Sequence, residues 1–218
     1  SAPFNLDGSA ETMDVSILVS RVNAFASTTD LSQAADGAGA LTCSFMPAVR
    51  QGHAATLLPD GKVLISGGVE VKGGAPFPSG ALTIYDPGTG TFTDLEAVLN
   101  FPRSYHTASL INTGSADAPA YKVLVAGGFG VISNIEQSLT TAEVFDVTGQ
   151  VIEEPIFQNV GRAYHTATVM GNGDVVLIGG ISKEPTGAGS ATTNRYLDDA
   201  EVYDVAKSAF VSVVDRKM

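Results

Sequence analysis

The sequence predicts an all-β chain built from a repeated unit of four short strands. Three observations predict it. Glycine fills 24 of 218 positions, scattered between short apolar runs, and Trp is absent; brief apolar runs parted by turn residues favour strands over helices. One order of landmarks occurs three times: an Arg-x-x-His opening, Gly-Gly after the second apolar run, and an aromatic residue followed by Asp after the third. The landmarks also keep their interval. His53, His106 and His165 are 53 and 59 residues apart, and the pairs Gly67-Gly68, Gly127-Gly128 and Gly179-Gly180 are 60 and 52 apart.

The elements follow in order. Residues 1–45 lie outside the repeat. Within them, 15–22 (VSILVSRV) reads as one strand on its β-branched residues, and 27–40 reads as a loop or linker. The segment is the end of a preceding domain, a linker, or a strand that completes a sheet elsewhere. Three repeats then occupy 46–101, 102–160 and 161–218.

In the first repeat, residues 53–58 form a strand, and Asp60-Gly61 supplies the positive φ of a tight turn. Residues 63–66 form a second strand, buried on both faces. A Gly/Pro/Ser loop reaches residue 80. Residues 82–85 form a third strand, and a fourth begins at 91–93. The second repeat places strands at 106–111, 121–126, 142–145 and 150–153. The third places them at 165–170, 175–178, 200–203 and 210–214, with a 19-residue loop over 181–199. Residues 214–218 read as the lead into another repeat, so the chain reads as a piece of a longer protein; closure of a ring by two copies is the alternative. The absent initiator Met fits a processed or trimmed product.

A period near 50 with four short strands per unit is the pattern of a propeller blade. Each blade has two apolar faces that its neighbours cover. Gly-Gly permits close backbone approach. Tyr85, Phe145 and Tyr203, each before an Asp, are large enough to fill the space between blades.

These residues resemble the kelch repeats of β-propellers over about 46–218. The resemblance rests on three in-register copies of Arg-x-x-His, Gly-Gly and aromatic-Asp. Kelch repeats usually carry Trp in strand four; here Phe92 and Phe210 stand there, with Val151 or Ile152 in the second repeat. The Arg-x-x-His variant with Phe is similar to bacterial secreted and surface kelch proteins. The resemblance implies a ring of six or seven blades, of which three are present, completed by further blades or another chain. It implies an extracellular or cell-surface location. It puts Arg50, Arg103 and Arg162 near the channel mouth, where some kelch proteins bind acidic partners; ion pairing between blades is the structural reading.

Composition limits function. The chain is 44% hydrophobic and 16% charged, enough for a globular core. Its net charge is −11 with no basic run, which argues against nucleic-acid binding through phosphates and disfavours anionic membrane surfaces. No run approaches the roughly 18 apolar residues of a membrane span, and the first residues show no signal-peptide pattern. Cys43 is the one cysteine, so no intrachain disulfide forms. Its apolar neighbours mark a buried thiol.

Binding is expected where the copies differ, in the loops after Gly-Gly (69–80, 129–140, 181–199). Those loops offer Lys72, Asn134, Glu136, Asn194 and Arg195, beside the repeated arginines. The three histidines are expected to hold blades together through backbone groups, since equivalent strands of adjacent blades lie too far apart to share a metal. No cofactor is expected. Calcium at Asp198-Asp199-Glu201 or Asn172/Asp174 is the weaker alternative, as no cage spacing is present. The Gly-x-Ser-x-Gly, P-loop and HExxH motifs are missing. Some copper radical oxidases carry kelch propellers with a Cys–Tyr cross-link, but Cys43 lies outside the repeats. The expected function is non-catalytic recognition of a protein or glycan. The alternatives are the scaffold part of a larger extracellular enzyme and a structural subunit of an assembly.

Overall fold

The computed structural model describes residues 46–72, 74–186 and 191–212. The expectations for residues 1–45, including Cys43, and for 213–218 lie outside them. The chain divides into two compact units at Cys43/Ser44, and all described residues belong to the second.

Every regular element among the described residues is a strand. In the first repeat, β1 (Arg50–Gln51) precedes β2 (Ala54–Leu57) and β3 (Val63–Ser66). Then come β4 (Val69–Lys72), β5 (Ala75–Pro78), β6 (Ala81–Asp86) and β7 (Thr91–Val98). The second repeat carries β8 (Thr107–Asn112), β9 (Tyr121–Ala126), β10 (Phe129–Ile132) and β11 (Ile135–Ser138). It continues with β12 (Thr141–Asp146), β13 (Val151–Ile152) and β14 (Ile156–Phe157). The third carries β15 (Thr166–Val169), β16 (Val175–Ile178), β17 (Ile181–Pro185), β18 (Thr192–Tyr196), β19 (Ala200–Asp204) and β20 (Ala209–Ser212).

Each repeat builds one antiparallel sheet in chain order: β2-β3-β6-β7, β8-β9-β12-β13 and β15-β16-β19-β20. In the second sheet β14 also pairs with β12, so the fourth edge is broken into two short strands.

The segments after Gly-Gly are not loops. Each is an antiparallel hairpin: β4–β5, β10–β11 and β17–β18. Val69 and Val71, or Ile181 and Lys183, keep the extended alternation that the surrounding Gly, Pro and Ser obscure. Pro76 and Pro78 fit because β5 is an edge strand with no ladder to break on its free side. Ser133 and Asn134 both have positive φ, 52° and 61°, which is the two-residue turn that joins twisted strands without splaying them. Asn134 is therefore a turn residue.

The sheets pack face to face through a period-two division of labour. Val123, Val125 and Phe145 of the second sheet pack against Leu64, Leu82 and Leu99 of the first repeat. Leu124, Ala126 and Val144, pointing the other way, pack against Val175, Leu177 and Tyr203 of the third. A strand buried on both faces thus reads as an unbroken apolar run. Each buried Val, Leu or Phe among them contributes roughly 1.5–3 kcal/mol by leaving water. The repeated aromatics pair across the strand three–strand four ladder: Tyr85 with Phe92 at 4.7 Å between ring centroids, and Tyr203 with Phe210 at 5.4 Å. Phe145 lies opposite Ile152.

Candidate functional site

The landmark residues form the seams between repeats. The Arg103 carbonyl accepts the Gly68 N–H at 2.8 Å, and the Arg162 carbonyl accepts the Gly128 N–H at the same distance. A Cβ built on Gly67 would lie 2.5 Å from the Arg103 carbonyl oxygen, and one on Gly127 would lie 2.4 Å from that of Arg162. Only glycine admits the next turn at that distance. The His106 ring meets Ser66 Oγ at 2.9 Å, and the His165 ring meets Thr107 Oγ1 at 2.8 Å. The partners are side-chain hydroxyls of the preceding repeat, where backbone groups were expected. Both rings are buried and neutral. Burial, with Arg103 near one and Arg162 near the other, pushes His106 down to about 3 and His165 down to about 4. His53 is exposed, and its pKa is lowered by partial burial and by Arg50.

The arginine side chains answer a different need. Arg103 is fully buried and donates to the carbonyls of Phe101, Gly127 and Thr141, to Thr141 Oγ1, and to Glu143 at 2.6 Å. Glu143 also accepts the N–H groups of Asn100 and Phe101. Arg162 repeats the clamp with Gly179, Asp199 and Glu201, and Glu201 accepts the N–H groups of Asn159 and Val160. These two arginines therefore do not form a binding rim; their guanidinium groups are consumed inside the fold. The calcium alternative at 198–201 loses Asp199 and Glu201 to Arg162 in the same way. At 172–174, Asn172 donates to Asp174, which also accepts the Val205 N–H. No group of three metal-ligating side chains occurs among the described residues.

The first repeat departs from the clamp at two places together. Thr83 stands where Glu143 and Glu201 stand, and Pro47, which has no N–H, stands where Asn100 and Asn159 donate. Arg50 is buried and reaches Glu70 of β4 instead, at 3.4 Å. Its Nε and Nη1 have no partner among the described residues.

The Gly-Gly end carries the exposed chemistry. Each hairpin is tied to the Arg turn of its own repeat: Gln51 pairs Val69, Ser104 pairs Phe129 and Ala163 pairs Ile181. Neighbouring hairpins are laced together. Ser138 Oγ donates to the Ile181 carbonyl and accepts the Lys183 N–H, and Lys183 ion-pairs with Glu136. Of the other residues expected here, Asn194 and Arg195 are exposed on β18, Arg195 lying 3.8 Å from Glu184. Lys72 ends β4.

Between hairpins and turns sits an aromatic cluster that the sequence reading did not single out. Tyr105 stacks on Tyr164 at 4.5 Å, and both meet the edge of Phe129 at 6.2 and 5.6 Å. Lys183 Nζ lies 5.7 Å from the Phe129 ring centroid. Tyr105 and Tyr164 both have φ 55°, at the repeat position held by Gly52 with φ 64°. A tyrosine in this left-handed region costs roughly 1–2 kcal/mol. A backbone ladder holds it there: Tyr105 N–H donates to Gly52 and Tyr164 N–H donates to Tyr105. The signal in the sequence was that Gly52, Tyr105 and Tyr164 share one position. Tyr164 remains 55% exposed.

At the opposite end, a cleft of about 400 Å³ opens between the first two sheets, with Leu58, Ile84 and Phe145 below and Asp86 and Asp94 at its rim. Lys62 bridges Asp60 and Asp86 there at 3.4 and 3.9 Å, so part of that charge is met internally.

No protein-family model matches the chain, and no curated protein matches it significantly.

Proposed function

We propose that the three sheets are consecutive blades of a kelch-type β-propeller that serves, outside the cell, as a non-catalytic protein-recognition module. The partner docks on the hairpin rim at the Gly-Gly end. The observation that carries this reading is the aromatic cluster of Tyr105, Tyr164 and Phe129 at the base of the hairpins, with exposed apolar side chains on the hairpin strands. Val71, Val131, Ile132 and Tyr196 stand exposed on the hairpin strands, and Tyr164 lies exposed at their base. Tyrosine offers contact area at low conformational cost, and apolar groups ringed by charge suit a protein partner more than a sugar. Glu136, Lys183, Glu184 and Arg195 supply that ring of charge. Arg103, Arg162, His106 and His165 are occupied within the fold, which leaves recognition to the parts in which the repeats differ.

The test is a displayed-peptide library selected on the protein, with Tyr164→Ala/Ile132→Ser as the comparison and a glycan array in parallel. Selected peptides are expected to bind the double variant about tenfold more weakly or worse, as for an aromatic hot spot. Peptides indifferent to the variant, or binding confined to the glycan array, would overturn the proposal.

A further inference from the structure

The two seams among the described residues are built alike but are furnished differently at the end away from Gly-Gly. At the seam between the second and third sheets, Glu153 stands opposite Val144, and its carboxylate ion-pairs with Lys122. The Tyr203 hydroxyl lies near enough to respond to both charges. An ammonium, a carboxylate and a phenol hydroxyl therefore meet there.

At the seam between the first and second sheets the corresponding residues differ. Thr93 stands opposite Ile84, in the place of Glu153, and Phe145 holds the register position of Tyr203. Neither the carboxylate nor the hydroxyl is supplied. Lys62, the counterpart of Lys122, turns to Asp60 and Asp86 instead. The cleft of about 400 Å³ lies at this place, and its volume falls in the range of small-molecule sites. Its floor is apolar, and β7 adds Asp94 and Glu96 to its wall. One Asp94 oxygen accepts the Thr83 hydroxyl. No ion pair among the described residues reaches Asp94 or Glu96. Four carboxylates thus line the cleft beside a single ammonium, and two of them have no cation.

We infer that this cleft binds a small organic amine, an ammonium group carried on a short apolar chain or ring. The apolar part lies against Leu58, Ile84 and Phe145, and the ammonium is met by Asp94 and Glu96. The sign of the charge selects the ligand. An anion is repelled, and a neutral apolar molecule shields the two carboxylates from water without pairing them. The volume selects its size, since the cleft encloses most of a small amine but only a side chain of a protein. Both walls belong to described sheets, so the site does not depend on how many repeats the protein has. It is also independent of the partner read for the hairpin rim, which lies at the other end.

Calorimetric titration of the 218-residue chain with n-hexylamine, n-hexanol, hexanoate and a capped lysine tripeptide tests it. Hexylamine is expected to bind with a Kd of about 1 mM or tighter, and hexanol about tenfold more weakly. Hexanoate and the tripeptide are expected not to bind. Raising the salt from about 50 to about 500 mM is expected to weaken hexylamine binding severalfold, because the carboxylates are partly exposed. Asp94→Asn/Glu96→Gln is expected to weaken it about tenfold, and the Asn still accepts the Thr83 hydroxyl. Thr93→Arg is expected to abolish binding by bringing a cation of its own. Thr93, Asp94 and Glu96 are all exposed, so the variants are expected to keep the wild-type circular dichroism. Hexanol binding as tightly as hexylamine would reduce the cleft to an apolar groove and overturn the inference. The absence of hexylamine binding, or binding indifferent to both variants, overturns it too. Binding of the tripeptide in preference to hexylamine does the same, since the cleft would then serve a protein partner.

Discussion

Replacing Glu143 with Ala is expected to lower stability by about 3–5 kcal/mol, the range for breaking a buried ion pair from one side. The loss follows from what Glu143 leaves behind. Arg103 and Glu143 are both fully buried, with Nη2 to Oε1 at 2.6 Å. Burial pulls the Arg103 pKa down and Glu143 pushes it back up. Without the carboxylate, a guanidinium stays buried and charged. The N–H groups of Asn100 and Phe101, which Glu143 also accepts, lose their partner as well. For a unit of this size the melting temperature is expected to fall by roughly 10 °C. Glu153→Ala is the control. It breaks the partly exposed pair with Lys122 and is expected to cost about 1 kcal/mol or less. Equal losses in the two variants, measured by urea unfolding, would show that the clamp is not what holds the second repeat together.

Mild acid is expected to destabilise the fold through His106 and His165. Their native pKa values, about 3 and about 4, lie below the ordinary 6.5. Between 6.5 and those values the unfolded chain binds protons that the native rings refuse. Stability is therefore full above pH 6.5 and declines as pH falls below it, by about 1 kcal/mol per pH unit for each ring. At pH 5 the two rings together cost roughly 4 kcal/mol. Ser66 Oγ and Thr107 Oγ1 hold Nε2 of each ring, while Nδ1 of each has no partner, so the second proton of an imidazolium would have no acceptor. Asp146, the carboxylate with a lowered pKa, acts only in the more acid carboxylate range. Urea midpoints at pH 7.5, 6 and 5 check the slope, and His106→Gln is expected to flatten it by about half. A midpoint constant across that range would contradict the neutral, buried assignment.

The repeat was legible because its landmarks are local and recur. Arg-x-x-His, Gly-Gly and aromatic-Asp each mark a place where one backbone must approach another, and such places admit few residue types. The partners of those landmarks were harder to see. Glu143 lies 40 positions after Arg103, inside an apolar run, and only the parallel between TAEVFD and DAEVYD hints that it recurs. Thr83 in ALTIYD breaks that parallel, and only the fold shows that Pro47 departs with it. The hairpins were hidden because glycines and prolines that mark loops elsewhere are tolerated on free strand edges. The tyrosine pair was hidden because a left-handed tyrosine is costly, and only the ladder from Gly52 through Tyr105 to Tyr164 makes it affordable. Recognition chemistry on the hairpins is the least legible layer, since it depends on exposure, which a sequence does not display.

Gly67 and Gly127 are glycine because the next repeat's Arg turn sits against them. Alanine scanning of four glycines with positive φ tests it directly. Gly67 and Gly127 have φ 58° and 63° with a carbonyl oxygen 2.5 and 2.4 Å from an added Cβ. Gly61 and Gly173 have φ 85° and 89° with nothing within 4 Å. The backbone penalty common to all four is about 1–2 kcal/mol. Gly61→Ala and Gly173→Ala are expected to lose only that. Gly67→Ala and Gly127→Ala are expected to lose about 3 kcal/mol or more, because the seam must also open. Four equal losses would contradict the account, since the glycines would then mark turns alone and not the junctions between repeats.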